Sequence, residues 1–167
     1  MPRHDETHPD DYVEKISSGD YAVHTEIDIN APADIVWATL TDFDHMDWSS
    51  SFKGIEGEIE EGAAVVAHFQ AAGRDQRFEH ILIEVEPGVQ WAWSDPFMMG
   101  MIDHHLYRVE PIDDQRSRFI QEDRPHGGAA IAAGRITAEG FKRMYEQFNE
   151  ELKSEAERRY RFDEAQY

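Results

Sequence analysis

Period-two alternation of apolar and polar residues, repeated in short segments from residue 54 to 123, is the feature that most constrains the fold. GIEGEIEEG places Ile55 and Ile59 on one face and three glutamates on the other. The alternating segments that follow are AAVVAHFQA, RFEHILIEVE, VQWAWS, MIDHHLYRVEP and SRFIQEDRP, with turn residues such as Pro87-Gly88 between them. Because successive side chains of a strand point to opposite faces, this pattern predicts six strands joined by hairpins.

One further strand and a long helix bracket these hairpins. YAVHTEIDIN alternates in the same way, and the segment from Pro32 then has helical spacing with a break near Asp42–Asp44, which predicts two short helices. GGAAIAAG fits either a flexible loop or a weak first turn. Thr137 is the expected N-cap of a helix of roughly 24 residues, about 36 Å long. The apolar stripe of this helix is formed by Phe141, Met144, Tyr145, Phe148 and Leu152.

Length and targeting signals favour one domain inside the cell. The 167 residues are enough to bury a sizeable core. We predict a poorly ordered acidic leader over 1–19, a single domain over 20–162 and a tail over 163–167. The N-terminus lacks the apolar centre of a signal peptide, and no run of eighteen apolar residues exists that could form a transmembrane segment. The absence of cysteine excludes disulfides, thiolate metal sites and cysteine nucleophiles, and a cytoplasmic location is expected.

The net charge restricts the partners of the chain. It has 35 acidic against 16 basic residues and a formal charge of -19. Such a field repels nucleic acid and anionic membranes at ordinary salt, so neither is expected as a partner. The acidity fits an adaptation to high salt or an ordinary acidic protein; a melting temperature that rises with salt would favour the first.

The order of elements and the local sequence resemble the SRPBCC superfamily of START and pollen-allergen-like proteins, in particular its polyketide cyclase/dehydrase-like branch. INAPADIVWATLTDFDHMDW is similar to the opening of that branch, as are Gly57 and Gly62, VEPGVQWAW and the hairpin YRVEPIDDQRSRF. The matching positions of the opening are Pro32, Val36, Trp37, Asp42, Phe43 and Trp48. The resemblance covers roughly residues 20–160.

This resemblance implies an α+β helix-grip fold. The expected architecture is a seven-stranded curved antiparallel sheet, with two short helices after the first strand and a long C-terminal helix packed across the sheet. The helix and sheet would enclose a cavity for an apolar or amphipathic small molecule. The superfamily has no shared catalytic motif to transfer, and a fold alone does not specify a reaction. Helix-grip proteins occur as monomers and as dimers, and the sequence does not choose between a monomer and a homodimer.

Asp103-His104-His105 has the composition of a metal site, but strand geometry separates its members. Adjacent side chains of a strand point to opposite faces, so the two histidines cannot reach one ion without a bulge. Two metal-binding donors on one face without a third are weak support for a metal site. We therefore predict no metal site and no cofactor. The apolar Val109 favours an inward set of Asp103, His105 and Tyr107.

The same parity places Phe119, Gln121 and Asp123 inward on the last strand. A hydrogen-bonded patch of polar residues that reads a ligand would then consist of Asp103, His105, Tyr107, Gln121 and Asp123. Alternatively, these groups satisfy each other or lie in solvent. As candidate catalytic residues, His105, Asp103 and Tyr107 could provide general acid/base chemistry.

Aromatic residues are predicted to line the apolar part of the cavity. Trp91 and Trp93 share a strand face, and an indole N–H requires a partner when buried. The complete set of predicted ligand-binding residues is Trp91, Trp93, His105, Tyr107, Phe119, Gln121, Phe141, Tyr145 and Phe148. For the helix residues, plain core packing is an equally good interpretation.

Three weaker features complete the prediction. FMMGM, residues 97–101, fits an exposed loop that gates the cavity or simple hairpin packing. Arg77 and Glu79 share the parity of Ile81 and Ile83, which would direct them inward. Neither a Gly-x-Ser-x-Gly motif nor a phosphate-binding glycine loop is present.

The primary hypothesis is a protein that binds or transports a small hydrophobic or amphipathic ligand, similar to a lipid, polyketide or aromatic compound, in an internal cavity. The alternative from the enzyme class is a polyketide cyclase/dehydratase-like protein with His105 as general acid/base. A third hypothesis is an interaction module, like the chaperone co-activators, that engages a protein through its acidic outer face.

Overall fold

One antiparallel sheet and one long helix make up most of the protein. The computed structural model describes residues 10–96 and 100–165. In chain order the elements are β1 (Tyr12–Ser17), β2 (Asp20–Ile29), α1 (Ala33–Thr41), a 3₁₀ turn (Phe43–His45), β3 (Phe52–Glu56), β4 (Ala64–Ala71), β5 (Arg74–Glu86), β6 (Gln90–Pro96), β7 (Ile102–Asp113), β8 (Arg116–Asp123) and α2 (Ala130–Glu164). The predicted helix-grip architecture, with its broken helix after β2, is confirmed.

The strand order β1-β2-β8-β7-β6-β5-β4-β3 follows from the hairpins. The six strands from β3 to β8 each pair with the next strand along the chain, as the alternation predicted. β2 then pairs with β8, so the chain passes from one side of the sheet to the other through α1 and the 3₁₀ turn. The sheet is covered by α2, which packs mainly against β2, and by α1, which contacts β7 and β8.

The sheet has eight strands, one more than we predicted from the sequence. The additional strand, β1, lies within the segment assigned to the leader and pairs with β2 from Tyr12 opposite His24. Five of its six residues are exposed, so β1 lacks the alternation of buried apolar and exposed polar side chains that marks a half-buried strand. The expectation for residues 1–9 lies outside the described residues.

The long helix α2 begins at Ala130, so the predicted start at Thr137 is wrong. The Thr137 hydroxyl donates a hydrogen bond to the Ala133 carbonyl inside the helix instead of capping it. GGAAIAAG thus contributes the first turns of α2, and its small residues allow the helix to lie close to the sheet. A Cβ added to Gly134 would lie 2.4 Å from the Tyr21 ring, so this helix segment packs directly against β2. The helix has 35 residues, about 52 Å at 1.5 Å per residue.

Side-chain hydrogen bonds attach the C-terminal half of α2 to the rest of the domain. Lys153 Nζ donates to the Asp28 carbonyl at 2.7 Å, and Glu157 Oε1 accepts from the Asn30 backbone N–H at 2.9 Å. Arg159 donates to Asp42 at 2.9 Å, next to the break between α1 and the 3₁₀ turn. These contacts fix the helix across the sheet at the end where the core is apolar.

Within residues 10–96 and 100–165, no helix is both long and apolar enough to cross a membrane.

Candidate functional site

The register of four neighbouring strands places the predicted site residues side by side on the inner face of the sheet. Tyr107 of β7 lies opposite Trp91 of β6 on one side and Gln121 of β8 on the other, and Thr25 of β2 lies opposite Gln121. The next row of paired residues consists of Trp93, His105, Asp123 and Val23. All eight side chains are buried. Two rows that contain five polar residues therefore lie beneath α2.

The predicted parity of β7 is confirmed by burial. Asp103, His105 and Tyr107 are all buried on the inner face, together with Val109. His104 is exposed on the other face, where it lines an outer cleft. The two adjacent histidines therefore point apart. Among the residues that the structure describes, no group of three or more His, Asp or Glu side chains could hold a metal ion.

A chain of hydrogen bonds connects His105 to the helix. His105 Nε2 lies 2.9 Å from Gln121 Oε1, and Gln121 Nε2 donates to Asn149 Oδ1 at 2.7 Å. Asn149 Nδ2 in turn donates to Thr25 Oγ1 at 3.1 Å. The amide of Gln121 also donates to the backbone carbonyl of Tyr145 at 3.3 Å. Three residues of the sheet and two of α2 thus satisfy one another in the interior, as buried polar groups must.

The direction of this chain fixes the protonation of His105. The carbonyl of Tyr145 can only accept a hydrogen bond, so the Gln121 nitrogen faces it and the Gln121 oxygen faces His105. His105 Nε2 must then carry the proton, and Nδ1 keeps its lone pair. Burial lowers the pKa of His105 to about 3, so the imidazole is neutral at physiological pH.

Two buried carboxyl groups lie next to this chain. Tyr145 Oη donates to Asp123 Oδ2 at 2.6 Å, and the Arg124 backbone N–H donates to Oδ1 at 2.7 Å. Burial, and then the negative charge of Asp103, raise the pKa of Asp123 to about 8. The pKa of Tyr145 is raised as well, by burial and then by the charge of Asp123. The polar strip, as we call it, consists of Thr25, Asp103, His105, Gln121, Asp123, Tyr145 and Asn149.

Aromatic rings fill the space where a cavity was predicted. The Tyr107 ring stacks on His105 at 4.1 Å and on Trp91 at 4.9 Å between ring centroids, and His105 lies 4.4 Å from Tyr145. Phe148 of α2 reaches down to Phe119 at 6.0 Å. Large side chains from both the sheet and the helix meet here, so the rings occupy the interior that the family resemblance had suggested would be open.

The remaining predicted residues divide between two clusters. Trp93, Phe119 and Phe148 belong to the main core, together with Phe52 of β3. Phe141 is half-buried in a second cluster around Tyr21 and Val23, where its ring stacks on Tyr145 at 5.9 Å. Tyr145 therefore connects the second cluster to the polar strip.

The predicted inward direction of Arg77 and Glu79 is wrong. Both residues are exposed, and Arg77 forms an ion pair with Glu56 at 2.8 Å on the outside. The inward residues of β5 are His80 and Leu82, and a register shift between Leu82 and Glu84 changes the parity further along the strand. Apolar residues occupy both faces of RFEHILIEVE, so alternation alone could not identify the inner one.

Two buried residues next to the predicted site were not identified from the sequence. His80 is buried and stacks on Trp93, with ring planes 4° apart and centroids 4.4 Å apart. Asn149 lies in the middle of the apolar stripe of α2, between Phe148 and Leu152. A polar residue at such a position is the signal that could have identified it, because it needs a partner across the interface.

Trp91 carries a buried hydrogen-bond donor without an acceptor. Its indole N–H has no hydrogen-bond partner among the described residues, and the side chain is fully buried. The ring contacts Trp37 and Phe43 edge-on and stacks on Tyr107. A buried donor that is left unpaired costs about 1–3 kcal/mol, so this position favours an added acceptor.

Two clefts open on the outside of the domain. One of about 330 Å³ lies beside α2 near Trp48 and Glu151. The other, of about 400 Å³, lies on the outer face of the sheet near His24 and His104. Of the FMMGM segment, residues 97–99 lie outside the described residues, and Met101 is buried. Gly128 of GGAAIAAG packs closely against Gly100, since a Cβ added to Gly128 would lie 2.2 Å from the Gly100 backbone.

A known family matches most of the chain. Residues 21–157 match the model of the family described as polyketide cyclase/dehydrase and lipid transport. No curated protein matches the chain.

Solved structures agree with the fold. A START superfamily protein from Mycobacterium smegmatis has a TM-score of 0.64 at 14% identity, over 82% of this chain and 97% of that one. The Zhui aromatase/cyclase from Streptomyces sp. R1128 has a TM-score of 0.58 at 21% identity, over 84% and 95%. The di-domain ARO/CYC protein BexL of the BE-7585A biosynthetic pathway has a TM-score of 0.65 at 13% identity. There the match covers 80% of this chain but only 45% of BexL.

Proposed function

The chain belongs to the polyketide cyclase/dehydrase and lipid transport family, and on that premise we propose that it binds a small hydrophobic or amphipathic molecule between α2 and the inner face of the sheet. The aromatic rings around Tyr107 would contact the apolar part of the ligand. The polar strip would orient its polar groups. Small-molecule sites commonly combine an apolar wall with a few placed polar groups in this way.

The single observation that carries the proposal is the buried polar strip itself. Five polar side chains of the sheet lie beneath α2 and meet two of the helix itself, whose other buried residues are mostly apolar. An apolar core of the same volume would avoid the cost of desolvating them. The unpaired N–H of Trp91 adds a donor that the fold itself does not use.

A ligand would enter by displacing the N-terminal half of α2. The segment from Ala130 to Ala138 is held mainly by small residues against Tyr21, whereas Lys153, Glu157 and Arg159 attach the C-terminal half. The first half can therefore move at a lower cost while the second keeps the helix in place.

Spectroscopy of the indole N–H groups tests this proposal. In a ¹⁵N-labelled sample, addition of a neutral bicyclic aromatic such as 2-acetylnaphthalene should shift the Trp91 indole signal, since its N–H gains an acceptor. Trp91→Phe assigns the signal, and it should weaken binding because it removes the N–H while an aromatic side chain remains. Trp48→Phe is the matched control, because its indole N–H also lacks a partner but lies near an outer cleft. Absence of any shift, together with no small molecule co-purifying in native mass spectrometry, would refute the proposal.

A second candidate function is proton-transfer catalysis of the cyclase/dehydratase kind. The carboxyl of Asp123 favours it, since the pKa of this group is raised to about 8 and Tyr145 Oη lies 2.6 Å away. His105, our original choice, is a poor base because burial lowers its pKa to about 3. If such a reaction occurs on a polyketide-type substrate, Asp123→Asn should abolish turnover without loss of binding, whereas His105→Gln should retain turnover.

Engagement of a protein through the acidic outer face stays a prediction, as do the cytoplasmic location, the choice between monomer and homodimer, and the lack of nucleic-acid partners. A pulldown whose partner is lost at moderate salt would favour the interaction module.

A further inference from the structure

We propose that the polar strip selects its ligand by charge. It accepts an uncharged group that both donates and accepts hydrogen bonds, such as a primary amide or an enol, and it rejects a carboxylate. This inference rests on the proposed binding function and specifies the chemical class of the ligand.

Negative charge is already present under the helix. Asp103 and Asp123 are both buried, and the negative charge of Asp103 acts on Asp123. Within the described part of the chain, no ion pair joins Asp123 to a lysine or arginine; the guanidinium of Arg124 pairs with Asp20 instead, at 2.6 Å. A ligand carboxylate would add a like charge in a medium of low dielectric constant, where repulsion is strong.

His105 does not supply a positive charge. Its Nε2–H is donated to Gln121, and the Tyr145 carbonyl keeps that tautomer in place by orienting the Gln121 amide. The lone pair of Nδ1 can accept a hydrogen bond but cannot donate one. An amide N–H or a hydroxyl satisfies this acceptor, whereas an ionised carboxylate has no proton to offer.

Trp91 supplies an unpaired hydrogen-bond donor. Both the Trp91 and His105 rings stack on Tyr107, at 4.9 Å and 4.1 Å between ring centroids. The donor of Trp91 and the Nδ1 acceptor of His105 thus belong to two rings that contact the same tyrosine. A neutral group with one of each, such as C=O beside N–H, complements the pair.

Two isosteric probes separate charge from shape. 2-Naphthamide and 2-naphthoate share a ring system and differ in charge at pH 7. We expect the full-length protein to bind 2-naphthamide at least about tenfold more tightly than 2-naphthoate, measured by titration of the indole signals. Equal affinities, or a preference for 2-naphthoate, would overturn the inference while leaving the proposed function intact. Binding of neither probe would overturn both.

The double variant Asp103→Asn with Asp123→Asn tests the cause. It removes both carboxyls at nearly constant volume, and it should bring the two affinities within about threefold of each other. An undiminished preference for 2-naphthamide in a folded double variant would overturn the inference, because the carboxyl charge would then not be its cause.

Titration of the unmodified protein gives a second measurement that does not depend on the variant folding. The groups that face Asp123 are Asp103, His105, Tyr107 and Tyr145. Of the groups in this set whose pKa shifts are known, only Asp123 gains charge between pH 6 and 9. The affinity for 2-naphthoate relative to 2-naphthamide should therefore fall several-fold as the pH rises through about 8. A constant ratio would contradict the inference.

Discussion

The inner face of the sheet has two regions that lie under the same helix but differ in chemistry. The polar strip occupies one region, with His105, Gln121 and Asp123 facing the middle of α2. In the other region, the apolar half, most of the buried residues are hydrocarbon, among them Ile27, Ile29, Val36, Leu40, Val109, Phe119, Leu152 and Ala156. Only the second region resembles an ordinary protein core.

The difference separates stability from recognition. In the apolar half, hydrocarbon packing fills the space under the helix, and hydrogen bonds such as that from Lys153 to the Asp28 carbonyl form at its border. In the polar strip, specific hydrogen bonds such as Gln121 to Asn149 join helix and sheet, beside the ring contact of His105 with Tyr145. The apolar half therefore provides the free energy of folding, while the polar strip provides directed groups that a ligand can compete for.

The largest expected effect is truncation in the apolar half. Leu152→Ala should lower the free energy of unfolding by about 2–5 kcal/mol, because a fully buried side chain leaves a cavity. Urea unfolding followed by circular dichroism measures this loss. Probe affinity, extrapolated to the folded fraction, should change little; a large loss of binding would show that the two regions are not separable.

Removing one member of the polar strip should cost less stability. Asn149→Ala removes the partner of the Thr25 hydroxyl and one of the two acceptors of the Gln121 amide, and should lower the free energy of unfolding by about 1–3 kcal/mol. The tautomer of His105 should stay the same, because the Tyr145 carbonyl still accepts from the Gln121 amide, and ¹⁵N chemical shifts of the imidazole detect it. A change of tautomer would show that Asn149, and not the Tyr145 carbonyl, orients Gln121.

The polar strip should also impose a distinctive pH dependence. Burial raises the pKa of Asp123 to about 8 and lowers that of His105 to about 3. Between pH 4 and 6.5, unfolding releases a proton from Asp123 and takes one up at His105, so the two contributions cancel. Above pH 6.5 only Asp123 of this pair contributes, and its contribution should lower the stability by about 1 kcal/mol as the pH rises to 8.

Two variants separate these contributions. Asp123→Asn should remove the fall between pH 6.5 and 8, and His105→Gln should extend it downward to about pH 4. Unfolding free energies at four pH values suffice. Parallel curves for all three proteins would exclude these two groups as the source.

The smallest effect is expected on the outside of β5. Arg77→Ala removes an exposed ion pair with Glu56 and should change stability by about 0–1 kcal/mol, with no effect on binding. A loss comparable to that of Leu152→Ala would instead place Arg77 in the interior.

Sequence patterns predicted the elements whose faces differ clearly in polarity. On β7, Arg108 and Glu110 alternate with Val109, so the inward direction of Asp103, His105 and Tyr107 could be assigned. On β5, Ile81 and Ile83 offered an apolar set on the wrong face, and the register shift beyond Leu82 could not be read from the sequence. Alternation therefore identifies the inner face of a strand only where the residues of the other face are clearly polar.

The site required contacts between distant segments. Gln121 and Asn149 are 28 residues apart, and Asn149 and Thr25 are 124 apart, so nothing in local spacing connects them. The start of α2 was missed for a local reason, since Gly127 and Gly128 before it resemble a flexible loop and Thr137 resembles a cap. The close fit of Gly134 against Tyr21 explains why small residues form the helix there.

The carbonyl of Tyr145 has a consequence for how the molecule can be observed. It belongs to the helix backbone, yet through the Gln121 amide it determines which nitrogen of His105 holds the proton. If the helix lifts, the amide is free to turn over and the proton can change nitrogens. The tautomer of His105 thus depends on whether α2 is packed against the sheet, and it would report each opening of the helix without any added label.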